Sequence, residues 1–250
     1  MRSLITLSHV EKSYRDGFTK RKIIHDLSLE IRKGEVFGFI GPNGAGKSTV
    51  INLLLGFISP ERGVIRINGI RPYDPLSRQD IGYLPEDPRF YDNLTAEELL
   101  RFGGIASGMS KADVMAKIDP LLSRLELFHV KKQPVHTYSK GMKQRIGLAL
   151  AMIHDPQIYI LDEPMSGLDP LGRNLLKKII LDVKDEGKTI FFSSHILNDI
   201  EVLCDRIGII NRGRMLYCGH IHDFSNGEKS FEDTFVDLIT NTTEVRKEDG

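Results

Sequence analysis

The chain has 250 residues, 40% of them apolar and 27% charged, with Lys plus Arg and Asp plus Glu equal at 34 and a formal net charge of zero. That is globular composition, with length for one large domain or one domain carrying an inserted subdomain. Balanced charge gives no global case for nucleic acid, no apolar run approaches a membrane span, and Met1-Arg2-Ser3-Leu4-Ile5-Thr6-Leu7 lacks the apolar core of a signal peptide and alternates like a strand.

The first 35 residues alternate apolar and polar side chains; Leu27, Leu29 and Ile31 share one face of a strand that ends in a turn at Lys33-Gly34. The apolar run Val36-Phe37-Gly38-Phe39-Ile40 leads into Gly41-Pro42-Asn43-Gly44-Ala45-Gly46-Lys47-Ser48-Thr49, then into Val50-Ile51-Asn52-Leu53-Leu54-Leu55. Strand, glycine loop and helix follow one another, and G-x-x-x-x-G-K-[ST] is filled by Gly41, Gly46, Lys47 and Ser48. Glycines let backbone N–H groups close around an anion at a helix N-terminus. Lys47 is placed for the β- and γ-phosphates and Ser48 for Mg²⁺, so the stretch reads as a nucleoside-triphosphate cradle.

Val64-Ile65-Arg66-Ile67, bounded by Gly63 and Asn68-Gly69, reads as a strand of a small antiparallel sheet beside the loop. From Thr95 to about Ile153 the pattern is helical, as an inserted subdomain over about 90–155. Thr95 with Glu98 forms a capping box, Ser110 with Asp113 a similar start, and Asp119-Pro120 a third opening ahead of Leu121, Leu122 and Leu125. Ile158-Tyr159-Ile160-Leu161 is the run expected of a strand covered on both faces. Asp169-Pro170 starts a helix on which Leu171, Leu175 and Ile179 share a face with Leu176, Ile180 and Val183, closed by Gly187. Thr189–Phe192 is the next strand, and Ile207–Ile210 and Met215–Tyr217 flank Asn211-Arg212-Gly213 as a hairpin. In the tail, 220–250, Phe231, Phe235 and Leu238 form a helical stripe before a polar, frayed end. Cys204 and Cys218 form no metal-type cluster and read as reduced structural thiols.

Asp162 and Glu163 end the buried strand as adjacent carboxylates. Asp162 has the place of a Walker-B metal ligand, and Glu163 can accept a proton from an attacking water.

The segment Tyr138-Ser139-Lys140-Gly141-Met142-Lys143-Gln144-Arg145 resembles the signature of the ATP-binding cassette (ABC) transporter ATPases, Ser166-Gly167-Leu168-Asp169 their D-loop, and Ser193-Ser194-His195 their switch histidine. The resemblance covers roughly residues 3–219. It implies an α/β fold: a P-loop NTPase (RecA-like) core with an antiparallel β subdomain and an inserted α-helical subdomain, over 1–219, with 220–250 as a partly helical tail. It implies ATP and Mg²⁺ as cofactors: Gly41 to Thr49 on the phosphates, Tyr14 stacked on adenine, Ser48, Asp162 and Glu86 at the metal, and Glu163, His195, Lys47 and Glu86 serving hydrolysis. Ser139, Lys140 and Gly141 would close on the ATP of a second chain, with Ser139, Gly141 and Asp169 at the dimer interface.

There are departures. The usual signature is Leu-Ser-Gly-Gly-Gln; Ser139 and Gly141 are kept, while Lys140 brings a positive charge to where the partner's γ-phosphate would lie. Glu86 stands where the family usually has Gln. Leu84-Pro85-Glu86-Asp87 and 138–145 look most like the export and antibiotic-resistance (multidrug-type) branch. The expectation is therefore the ATPase subunit of a transporter, a homodimer on the cytoplasmic face of the cell membrane, held there by separate transmembrane permease subunits. The competing classes are a non-transport cassette ATPase acting on nucleic acid or ribosomes, whose usual second cassette or long insertions are not seen, and a P-loop small-molecule kinase, which leaves Ser139, Gly141 and His195 without a task.

Overall fold

A computed structural model describes residues 3–17, 19–225 and 229–244. In chain order the elements are β1 (Ser3–Asp16), β2 (Thr19–Arg32), β3 (Val36–Ile40), α1 (Lys47–Leu54), β4 (Arg62–Ile67), α2 (Pro75–Arg78), β5 (Ile81–Leu84), α3 (Ala96–Ala106), α4 (Lys111–Arg124) and α5 (Lys140–Met152). Then come β6 (Ile158–Asp162), α6 (Pro170–Asp185), β7 (Thr189–Ser194), α7 (Leu197–Leu203), β8 (Arg206–Asn211), β9 (Arg214–His220), α8 (Ile221–Phe224) and α9 (Phe231–Glu244). The chain divides into two units, one running up to Asp74 and resuming at Ser193, the other Pro75–Phe192. Among the described residues no helix is long and apolar enough to cross a membrane. The expected frayed end falls on 245–250, and the first two residues of the expected N-terminal alternation on Met1 and Arg2; both lie outside the described residues.

In the first unit the alternating N-terminal segment becomes an antiparallel sheet of order β2-β1-β4. Ile5 pairs with Ile31 and Ile67, and Leu7 with Leu29 and Ile65, so one face of three strands is apolar and buried. The polar partners Thr6, Glu30 and Arg66 take the alternate register. β3 and β8 are buried at every position and pair in parallel, which is why they read as runs and not as alternation. β8 returns antiparallel into β9 through Arg212 (φ +47°) and Gly213 (φ +74°), the two positive dihedrals of a tight hairpin turn. Arg206 and Glu35 form a buried ion pair at 3.0 Å. Its spare hydrogen-bonding capacity is used: Arg206 also donates to the Glu30 carbonyl at 3.1 Å, and Glu35 accepts from the Arg32 N–H at 2.7 Å. In the tail, the Tyr217, Phe224 and Phe231 rings follow one another at 4.8 and 5.2 Å, tying the start of α9 to β9.

In the second unit β5, β6 and β7 lie side by side, with β5 and β6 parallel in the register Tyr83 to Ile160 and Leu84 to Leu161. α3, α4 and α5 fall between β5 and β6 in sequence. The Thr95 hydroxyl accepts from the Glu98 N–H at 3.2 Å and the Glu98 carboxylate from the Thr95 N–H at 2.9 Å, completing the capping box. Ser110 caps α4 by accepting from Asp113 N–H at 3.1 Å. The expected helix start at Asp119-Pro120 is not one: Pro120 lies inside α4, which runs on from its Ser110 cap. Val114, Ile118 and Leu122 form one buried stripe along that helix, and their burial outweighs the N–H that proline lacks. Leu171 also departs from expectation. It is 81% exposed, whereas Leu176, Ile179, Ile180 and Val183 are buried. At the helical angle per residue it points roughly 130° from the middle of that stripe.

Candidate nucleotide site

The phosphate loop is braced from behind. β3 delivers the chain at Ile40, the Ala45 N–H closes a turn on the Pro42 carbonyl at 3.1 Å, and Gly46 (φ +113°) caps the eight-residue helix α1. The Ala45 carbonyl then accepts from the Gly213 N–H at 2.8 Å, so the β8–β9 turn buttresses the loop. Contact is close: a Cβ on Gly213 would lie 1.8 Å from the Ile23 carbonyl oxygen, and one on Gly41 would lie 2.2 Å from that of Ile210. Lys47 is only 7% exposed and donates to the Gly41 carbonyl at 2.8 Å, which holds its ammonium within the loop. Asn43, Gly44 and Ser48 are exposed, and Pro42 and Thr49 half-buried.

Two further expected residues belong to this unit. Tyr14 on β1 is 40% exposed, with the Lys12 ammonium 5.7 Å from its ring centroid, so an aromatic face is open for stacking. His195 follows β7 and is exposed; the Ser194 hydroxyl accepts from the Ile196 N–H at 3.0 Å and fixes the bend beside it.

The second unit holds the carboxylates. Asp162 ends β6, and it and Glu163 are buried, at 7% and 6% exposure. Tyr83, on the paired strand β5, has its phenol pKa pushed up to about 12, first by burial and then by the Asp162 charge. Glu163 has φ +46°, a left-handed dihedral unusual for a residue with a side chain. The turn after it closes from the Ser166 N–H to the Glu163 carbonyl at 2.9 Å, and Asp169 caps α6 by accepting from the Gly172 N–H at 2.7 Å. Glu86 stands exposed after β5.

The signature-like segment is anchored by its first residue. Tyr138 is buried and donates to the Val130 carbonyl at 2.8 Å, which gives a structural reason for an aromatic there. Ser139 caps α5 by accepting from Met142 N–H at 3.3 Å, and both Ser139 and Lys140 are exposed. Thus the phosphate loop, Tyr14 and His195 are grouped in one unit, and Glu86, Ser139, Lys140, Gly141, Asp162, Glu163 and Asp169 in the other. Sequence reading does not find the Gly213 buttress, the neighbourhood of Tyr83 and Asp162, or the dihedral of Glu163. The Arg212-Gly213 hairpin was legible, but its target was not.

A buried strand, a glycine loop and a capped-off helix, with a buried carboxylate pair ending another strand, make up an α/β phosphate-loop NTPase with a RecA-like core, a separate antiparallel sheet and a helical part. Residues 24–166 match the ABC transporter family. An uncharacterised ABC transporter ATP-binding protein of Synechocystis is 43% identical over 228 residues, covering 89% of this chain and 64% of that relative, so the chain spans under two thirds of its length. The lantibiotic transport ATP-binding protein SrtF of Streptococcus pyogenes is 38% identical, covering 94% of this chain and 97% of its own. A solved ATP-binding subunit of an ABC transporter superposes with a TM-score of 0.85 at 34% identity, over 94% of this chain and 99% of that one. A dimeric, post-hydrolysis ATP-binding cassette bound to ADP and Pi superposes with a TM-score of 0.77 at 26% identity, over 86% and 98%. The chain belongs to the ABC transporter family, as an ATP-binding and ATP-hydrolysing subunit.

Proposed function

We propose that this chain powers an exporter: it pairs with a second copy of itself around ATP and works on the cytoplasmic face of the membrane against separate transmembrane subunits. The observation that carries this reading is the outward placement of the signature-like segment. Ser139 and Lys140 stand exposed at the start of α5, whose first turn contains no acid. Free N–H groups there favour an anion, and a second chain's γ-phosphate is the anion that suits them. The relative solved as a dimer with ADP and Pi supports such pairing. The lantibiotic transport relative supports the movement of a compound across the membrane, and the branch-like motifs support the outward direction.

In this reading Gly41 to Thr49 bind the phosphates, Lys47 neutralises the β- and γ-oxygens, and Tyr14 stacks on adenine. Glu163 takes the proton of the attacking water, and His195 and Glu86 orient the γ-phosphate and that water. Mg²⁺ suits the donors available. Among the described residues no cluster of three or more His, Cys, Asp or Glu could hold a metal alone. The Ser48 hydroxyl and Asp162 carboxylate are hard oxygens of the kind this ion takes beside substrate phosphates. They would hold it, and once bound it would neutralise charge developing on the phosphate oxygens.

The test is Glu163→Gln. Nucleotide binding should persist, turnover should vanish, and ATP should trap a dimer in size-exclusion chromatography. Full ATPase activity in that variant refutes the general-base assignment. Co-expression with a polytopic membrane protein encoded beside this chain should give a detergent-stable complex with stimulated ATPase. An unstimulated chain that does not co-purify opposes the transporter reading.

A further inference from the structure

Lys140 is the odd residue of the signature-like segment, and its side chain has a definite place. As the first residue of α5 it sits at the positive end of the helix dipole, a poor position for a cation. Among the described residues it makes no ion pair that would offset this. The side chain instead lies across the turn that follows Glu163. Its Cδ, Cε and Nζ are 2.9, 2.6 and 2.3 Å from where a Cβ on Gly167 would fall. Any larger residue there would have to push the Lys140 side chain aside, and the φ of +70° at Gly167 favours glycine independently. The next residue of α5 repeats the contact: a Cβ on Gly141 would be 3.5 Å from Leu168 Cδ2. The start of the helix therefore runs close beside the turn at two successive residues, with Lys140 supplying the side-chain contact. That turn is short and closed within itself, by Ser166 N–H to Glu163 carbonyl at 2.9 Å and Leu168 N–H to Met165 carbonyl at 3.4 Å. Glu163 stands at one end of it, and the Asp169 cap of α6 at the other.

We propose that Lys140 is a positioning residue for ATP hydrolysis. It clamps the turn from Glu163 to Asp169 onto the first turn of α5, so that Glu163 and Ser139 keep one spacing and move as a piece. The outer half of the side chain does this, with Nζ, Cε and Cδ all lying over Gly167, so methylene packing supplies the contact together with the ammonium. The inference rests on the reading of Glu163 and Ser139 as parts of the nucleotide chemistry.

The experiment compares Lys140→Ala with Lys140→Met, which keeps a stem without charge, in the full chain. Without nucleotide, amides 165–168 should exchange with deuterium about tenfold faster in Lys140→Ala, while those of the phosphate loop stay unchanged. kcat should fall about tenfold, as for a group moved by a fraction of an ångström, with KM for ATP nearly constant because the loop binding ATP is untouched. Lys140→Met should restore most of both. Unchanged exchange at 165–168 in Lys140→Ala overturns the clamp whatever the ATPase does. Faster exchange with undiminished kcat overturns its part in hydrolysis. A loss of kcat that Lys140→Met does not restore assigns the ammonium to phosphate contact and also overturns the clamp. Failure of the underlying reading shows separately, as full turnover in Glu163→Gln.

Discussion

Gly41 and Gly44 lie in one loop and are glycine for different reasons, so alanine at each should fail differently. A Cβ on Gly41 would stand 2.2 Å from the Ile210 carbonyl oxygen, 3.0 Å from Ile210 Cγ2 and 3.2 Å from Ala45 Cβ. An unstrained carbon–oxygen contact needs about 3.3 Å, so Gly41→Ala must move the loop away from β8 by roughly 1 Å. The oxygen is backbone in a buried strand and cannot rotate away. Overpacking of this kind costs about 1–3 kcal/mol of stability. A displacement of that size in a binding loop costs about 100-fold in activity, and nucleotide affinity should fall with it. Gly44 has φ +77°, and a Cβ there would meet nothing within 4 Å, so Gly44→Ala encounters only backbone strain. That is about 1 kcal/mol, with Gly44→Asn milder because asparagine tolerates the left-handed region. Titration with a fluorescent ATP analogue, beside thermal unfolding of the nucleotide-free protein, separates the two. Nucleotide affinity near wild type in Gly41→Ala, or equal stability losses in both variants, would refute the argument.

Arg206→Ala should destabilise the protein by about 3–5 kcal/mol in urea unfolding, because it strands the Glu35 carboxylate in a buried site; a matched apolar pair at both positions should cost far less. Pro120→Ala should raise stability by about 1–2 kcal/mol, since alanine suits a helix interior far better and only part of that gain is offset by a freer unfolded chain; a lower melting temperature would show that the α4 backbone needs proline. The Thr95 N–H bond, then the Thr95 hydroxyl, hold Glu98 below its usual carboxylate range. A lowered folded pKa means that the cap's contribution is complete above the ordinary carboxylate range and is lost as pH falls through the lowered value. Amide protection in the first turn of α3 should drop over that acid window in wild type; Glu98→Gln, which cannot titrate, should abolish the pH dependence, whereas Thr95→Ala, which keeps the backbone N–H, should only weaken it.

Signals confined to a few neighbouring residues were legible in the chain. The caps at Thr95, Ser110 and Asp169 form as their local patterns indicate, since a hydroxyl or carboxylate reaches an N–H three residues on without help from the rest of the protein. The buried runs of β3, β6 and β7 and the alternating strand β2 were legible for the same reason. Pro120 and Leu171 were misread because local rules compete with burial along a whole helix. A proline is a good first-turn residue, but the Val114, Ile118 and Leu122 stripe carries α4 through it. Leu171 is apolar, yet its angle on α6 leaves it in solvent.

By itself, then, the order of residues determined the phosphate loop, the carboxylate pair, the helix caps and the family those motifs resemble, because each depends on neighbours along the chain. Tertiary structure alone decided what holds them. Gly213 meets Ala45, Ile210 stands over Gly41, Tyr83 lies near the Asp162 charge, and Lys140 covers Gly167. Each of these pairs is distant in sequence, and no periodicity or spacing encodes it. The contacts exist because paired strands, the β8–β9 hairpin and the turn after β6 bring segments far apart in the chain within reach of one another, which only the folded arrangement can do.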